Sequence, residues 1–212
     1  MRRALLAALL CLTAVGLSGA GQVAPMFQVH FTDEQKADLD RVSAYLNSMH
    51  TLEGSFVQID PDGGIDQGAF YILKPGRMRF EYEPPSPVLI VSDGSTVAVQ
   101  NRRLNTLDHY PLWTTPLKLL LSDDVNLKHN SLITGVERQT GALVIQARSE
   151  KSRSRGNITL VFAAPELELR QWTVVDDQGL STTVSLRDVR QDANLQDSLF
   201  VLPVKATKDN NQ

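Results

Sequence analysis

Residues 67–94, QGAFYILKPGRMRFEYEPPSPVLIVSDG, leave the chain few ways to fold. Gln67 to Leu73 is apolar and aromatic, and Lys74-Pro75-Gly76 then turns the backbone. Arg77 to Glu83 alternates strictly, with Met78, Phe80 and Tyr82 on one face and Arg77, Arg79, Glu81 and Glu83 on the other; a period of two is the signature of a half-buried strand. Pro84, Pro85 and Pro87 end it, because proline has no N–H for the next ladder bond. Val88 to Val91 runs apolar, and Asp93-Gly94 supplies a tight hairpin turn. Three consecutive antiparallel strands follow, with an aromatic, sulfur-rich face that a core or a ligand must cover.

The meander continues on both sides. Thr51 to Ile59 reads as a strand before it, and Thr96 to Gln100 and Leu104 to His109 as strands after it. Val125 to Arg138, Ala142 to Ser149, Asn157 to Phe162, Glu168 to Val175 and Ser181 to Arg187 add five more, separated by Thr140-Gly141, a basic loop at 151–156 and the turn at 176–179. Short strands, tight turns and no interleaved long helices describe an antiparallel sheet.

Three segments depart from that period. Thr32 followed by Gln35 is a capping box, and Leu39, Val42, Leu46 and Met49 then form one helical stripe ending near His50. Pro111 to Leu121 carries one charge in eleven residues; Thr115 as cap and Pro116 at the first position predict a short helix, too apolar to lie exposed, over the sheet's apolar face. Leu195 to Leu199 reads as a last short helix.

The first 20 residues have the form of a removable secretory signal: Arg2 and Arg3, an apolar stretch from Ala4 to Leu17, then Ser18-Gly19-Ala20 before the cut. Residues 21–31 read as a lead-in, 32–204 as one domain and 205–212 as a polar tail. The lone cysteine, Cys11, falls within the signal and follows Leu10, where a lipidation signal calls for a small residue. The mature chain then has no disulfide and no thiol chemistry. Loss of Arg2 and Arg3 lowers the formal charge from −3 to −5, which argues against nucleic acid as a partner.

The chemistry of catalysis is not visible. The histidines at 30, 50, 109 and 129 share no metal-ligand spacing. No nucleophile elbow, phosphate loop or dinucleotide fingerprint is present. Asp123-Asp124 and Asp176-Asp177 sit in turns, where aspartate is favoured for local hydrogen bonds. The residues thus point to an exported binding protein with an apolar interior, with no catalytic residues, metal or cofactor.

Leu39 to Leu46 followed by Thr51-Leu-Glu-Gly-Ser-Phe-Val-Gln58, then Gly68-Ala-Phe-Tyr-Ile-Leu-Lys-Pro75, Arg79-Phe-Glu-Tyr-Glu-Pro84 and Val91-Ser-Asp-Gly94, resemble the LolA-type periplasmic outer-membrane lipoprotein carriers over residues 35–203. The resemblance implies a mainly β fold, an unclosed antiparallel β-barrel with a helical lid over an apolar cavity. It implies a monomeric periplasmic chaperone of a Gram-negative bacterium, not an enzyme. Such a carrier takes the acyl chains of lipoproteins from an inner-membrane ABC transporter to an outer-membrane acceptor. Strand parity places Phe70, Ile72, Met78, Phe80 and Tyr82 in the cavity, with Leu89 and Val91 of the next strand added. Trp113, Leu117 and Leu120 are the lid candidates. The family's arginine before the motif proline, which bonds the lid shut, is replaced here by Lys74, a donor without the planar fork of arginine. The rival readings are a periplasmic regulator or scaffold with the same sheet and lid, and an exported hydrolase with an unrecognised site. An acceptor lipoprotein is disfavoured, since no lipid-bearing cysteine follows the signal.

Overall fold

The structure, a computed structural model, describes residues 29–148, 157–176 and 178–204. The leader, most of the lead-in, the basic loop at 151–156 and the polar tail lie outside the described residues. Helix α1 (Asp33–Ser48) is followed by β1 (Thr51–Ile59), β2 (Ile65–Leu73), β3 (Arg77–Tyr82), β4 (Val88–Asp93), β5 (Thr96–Asn101) and β6 (Thr106–Pro111). A single turn of 3-10 helix (Leu112–Thr114) and the short α2 (Lys118–Leu121) then lead to β7 (Ile133–Gln139), β8 (Ala142–Arg148), β9 (Asn157–Ala163), β10 (Glu168–Val175) and β11 (Ser181–Gln191). A last 3-10 turn spans Asp197–Phe200.

The eleven strands of the described residues join one antiparallel sheet in the order β6-β5-β4-β3-β2-β1-β11-β10-β9-β8-β7. Consecutive strands lie side by side except β6 and β7, and the two runs meet at the β1–β11 seam. The edges, β6 and β7, do not pair, so the sheet is an unclosed half-barrel; residues 112–132 cross from one edge to the other. Bulges between Glu53 and Ser55, Leu169 and Gln171, and Ile133 and Gly135 add local bend and twist, as curvature of this kind requires.

The register sorts the side chains. Phe70 pairs with Phe80 and Ile72 with Met78 across β2 and β3, and Leu52 pairs with Ile72 across β1 and β2. On the other run Trp172 pairs with Leu160, and Leu160 with Ile145. These residues share the inner face, where α1 lays Leu39, Val42 and Leu46 onto them, and all belong to one buried cluster. Phe56 is at the centre of an aromatic group, with ring centroids 5.0 Å from Phe80 and 5.0 Å from Tyr82. Gly68, opposite Tyr82, makes room for it: a Cβ there would lie 2.9 Å from the Phe56 ring and collide with the Glu81 carbonyl.

Helix α1 starts as its sequence dictates. The Thr32 hydroxyl accepts from Gln35 N–H and the Gln35 amide oxygen accepts from Thr32 N–H. Its inward polar groups then fasten it to one side of the barrel. Gln35 donates to the Val136 carbonyl on β7 at 3.0 Å, and buried Asp38 accepts from Arg138 of β7 at 2.6 and 3.0 Å. Tyr45 meets Phe162 edge-on and its hydroxyl accepts from Leu169 N–H.

Two expectations are corrected. Val125 to Arg138 is a strand only from Ile133; the preceding residues form a loop that satisfies polar groups of α1. Ser43 Oγ accepts from Leu127 N–H at 3.0 Å, and Asn47 exchanges two bonds with Val125, at 3.0 and 2.8 Å. Leu89 and Val91 do not line the same hollow as Phe80. Leu89 pairs with Glu81 and Val91 with Arg79, which puts both on the outer face. They are buried there, outside the main core, while the C-terminal turn lies against β3 and β4. Arg79 donates to the Leu199 carbonyl, and the Arg77 guanidinium stands 5.8 Å from the centre of the Phe200 ring.

Candidate functional site

The turn after β2 gathers the two helices. Gly76, at φ 71°, adopts a backbone open to glycine, and its N–H donates to the Leu121 carbonyl of α2 at 2.9 Å. A Cβ at Gly76 would come within 2.7 Å of the Gly94 backbone, so the turns after β2 and β4 are packed together. Two residues earlier, Lys74 is buried and its ammonium donates to the Leu46 carbonyl at 2.7 Å. That carbonyl belongs to the last turn of α1, where helix carbonyls lack partners and the dipole is negative. No basic residue of α1 occupies that turn, so Lys74 supplies the charge from outside the helix. Burial pushes the Lys74 ammonium below its ordinary range, and the Asp123 carboxylate opposes that shift. Lys74 therefore holds α1, while the backbone two residues on holds α2.

The segment from Leu112 to Leu121 forms two short turns rather than one helix. Thr115 does not cap it: its hydroxyl donates back to the Leu112 carbonyl, and Leu117 is the cap of α2, with no side-chain bond. Leu120 and Leu121 are buried and Leu117 packs partly on the core. Trp113 is 62% exposed.

Beneath this segment runs a cleft of about 300 Å³. Trp113, Pro116 and Leu119 form its outer wall, and Leu132, Ala147 and Ile158, at the ends of β7, β8 and β9, form its floor. The charged groups along it are Lys118, Arg148 and Asp124. The cleft thus lies between the crossing segment and the ends of β8 and β9. An apolar floor under a short, exposed strap can take an apolar chain without a directional bond.

The sequence-predicted residues divide between core, cleft and outer face. Phe70, Ile72, Met78, Phe80 and Tyr82 are brought together, but each is nearly fully buried and packed against neighbouring side chains. Phe80 is stacked on Phe70 and meets Trp172 at 5.8 Å. Tyr82 donates to Gln58 at 2.6 Å, and burial raises its phenol well above the usual range. Trp113 alone of these candidates borders the cleft. Leu132, Ala147 and Ile158 were missed. The alternation of β8 and β9 is readable for Ala147 and Ile158, but not that the segment after β6 lies across them. Among the described residues no group of three or more His, Cys, Asp or Glu side chains is placed to hold a metal.

Comparison with known proteins gives a consistent result. The chain is 28% identical over 169 residues to an outer-membrane lipoprotein carrier protein of Methylococcus capsulatus, covering 76% of this chain and 80% of that protein. A protein of the same name from Coxiella burnetii is 28% identical over 171 residues, again covering 76% and 80%. One from Chromohalobacter salexigens is 25% identical over 187 residues, covering 82% and 87%. The family model described as outer membrane lipoprotein carrier protein LolA matches residues 47–203. The chain belongs to the LolA family of outer membrane lipoprotein carrier proteins.

Proposed function

We propose that the protein is a periplasmic carrier, not an enzyme, that shields the acyl chains of lipoproteins as they pass from the inner to the outer membrane. The observation that carries this reading is the apolar cleft between strap and sheet, in a member of a carrier family. Each methylene exposed to water costs about 0.8 kcal/mol, so a long chain crosses an aqueous compartment only under cover. Contacts without direction suit a carrier, because they bind by area and release without breaking a specific bond. The cargo would arrive from an inner-membrane ABC transporter and leave to an outer-membrane acceptor, with the protein acting as a monomer behind its signal peptide.

The core residues Phe70, Ile72, Met78, Phe80 and Tyr82 become chain contacts only when the strap lifts; in the closed form they satisfy one another. The test is direct. Purified protein is mixed with a triacylated lipopeptide and the emission of its two tryptophans is followed. Trp113 borders the cleft and Trp172 is buried, so binding shifts Trp113 emission to the blue, and Trp113→Phe removes the shift. Leu119→Trp and Leu132→Trp, which fill the cleft, abolish retention. If cleft-filled variants still carry lipoproteins between membranes, the reading fails.

A further inference from the structure

The two edges of the sheet are not alike. Along β7, helix α1 lies against the strand: Gln35 donates to the Val136 carbonyl, and Arg138 reaches Asp38. Among the described residues β6 pairs with β5 alone, and five of its six residues are exposed. The backbone of β6 also has a definite phase. Thr96 pairs with Pro111, and one step beyond them Leu112 N–H donates to the Ser95 carbonyl at 2.8 Å. Partners in an antiparallel pair alternate between those that exchange backbone bonds and those that do not. Tyr110, Asp108 and Thr106 therefore turn their N–H and C=O groups to β5. Leu107 and His109 turn theirs outward, together with the carbonyl of Pro111. A proline at an outward position removes no bond to β5. Such an edge is a template for another extended chain. It also leads to the cleft: Trp113, two residues past the end of β6, forms part of the cleft's outer wall, and two residues span at most about 7 Å.

We infer that β6 receives, as an added antiparallel strand, the stretch of polypeptide that follows the acylated residue of the cargo. This rests on the cleft being the acyl site, and adds a second point of contact outside it. A lipoprotein carries its acyl chains on its N-terminal residue. With those chains in the cleft, the peptide starts at the Pro111 end of β6 and runs toward Thr106, opposite in direction to the strand beside it. The hold comes from main-chain bonds, which read no side chain, so cargoes of unrelated sequence can use one edge.

The test uses a triacylated cysteine followed by six residues, the length of β6, and two N-methylated forms of it, methylated at odd or at even positions. Methylation removes a donor, and only one parity faces β6. Binding to the purified full chain is followed by Trp113 emission. One methylated form binds about tenfold more weakly than the parent lipopeptide and the other nearly as well. Hydrogen exchange supplies the protein's half: the N–H groups of Leu107 and His109 slow on binding more than those of Asp108 and Tyr110. His109→Pro, which takes away one outward donor, weakens the lipopeptide but not the triacylated cysteine amide that has no peptide. Equal loss in both methylated forms, or loss in neither, overturns the inference. So does a free protein that sediments as a dimer and is dissociated by His109→Pro, since the edge then belongs to a second copy. In each of these cases, binding of the triacylated cysteine amide leaves the carrier reading standing. A protein that binds neither the lipopeptide nor the amide refutes both.

Discussion

The two runs of the half-barrel are built from similar strands yet are held very differently. On the β7–β10 side the inner face is sealed: Leu143, Ile145, Leu160, Phe162 and Leu169 are buried, and α1 is bonded to β7, to β10 and to the loop before β7. On the β4–β6 side the inner face thins out. Ile90 pairs with Val99, both only partly buried, and Val97 pairs with Tyr110, which is half exposed. The bonds described for α1 reach this side through Lys74 at the end of β2. One run is thus a fixed wall and the other a wall whose inner surface is only partly spoken for. On the proposed carrier reading both are needed, because binding an apolar chain requires apolar surface that the protein has not already used, on a frame that stays folded when that surface changes partners.

The largest expected effect is on the sealed side. Phe162→Ala removes a fully buried ring and its edge contact with Tyr45, and destabilises the protein by about 3–5 kcal/mol in urea unfolding. If the loss is below about 1 kcal/mol, the sealed wall is not sealed. Next is Lys74→Met, which leaves the Leu46 carbonyl without its donor and costs about 1–3 kcal/mol at neutral pH. The same position has a pH signature. Because the ammonium is depressed in the folded state, the unfolded chain holds the proton more tightly. Stability therefore rises with pH between the lowered folded value and the ordinary 10.5. The rise is present in the parent and missing in Lys74→Met; unfolding midpoints measured from pH 8 to 11 decide it. Ser43→Ala frees Leu127 N–H from its buried acceptor and costs about 1 kcal/mol, loosening the loop before β7. The smallest effect is Ile90→Ala on the open side, about 1 kcal/mol or less, since the side chain is only partly buried. An Ile90→Ala loss equal to that of Phe162→Ala would erase the distinction between the walls.

Much of the sheet was legible because alternation is a local property. Met78, Phe80 and Tyr82 face inward as their spacing requires, and the Thr32–Gln35 box starts α1 where it reads. Leu89 and Val91 were misplaced for a physical reason. A continuous apolar run does not alternate, so it gives no parity of its own; here it is apolar because both faces of β4 are covered, Val88 and Ile90 partly by the core and Leu89 and Val91 on the outer face, where a C-terminal turn contacts the strand from more than 100 residues away. The loop from 125 to 132 read as strand because Val125 and Leu127 are apolar at spacing two, yet both are buried beside α1 rather than in a ladder. The cleft floor was hidden for the same reason as the β4 face: alternation tells which side of a strand is greasy, not which distant segment will lie on it.

The crossing segment between β6 and β7 is moored at both ends. Leu112 N–H is held by Ser95 and the Leu121 carbonyl by Gly76, while Val125 and Leu127 are tied to α1. A shutter with such hinges can bow outward without drifting off. On the proposed carrier reading, its return would be an intramolecular snap-back of a few residues, needing no search and no refolding, so that one molecule could serve round after round.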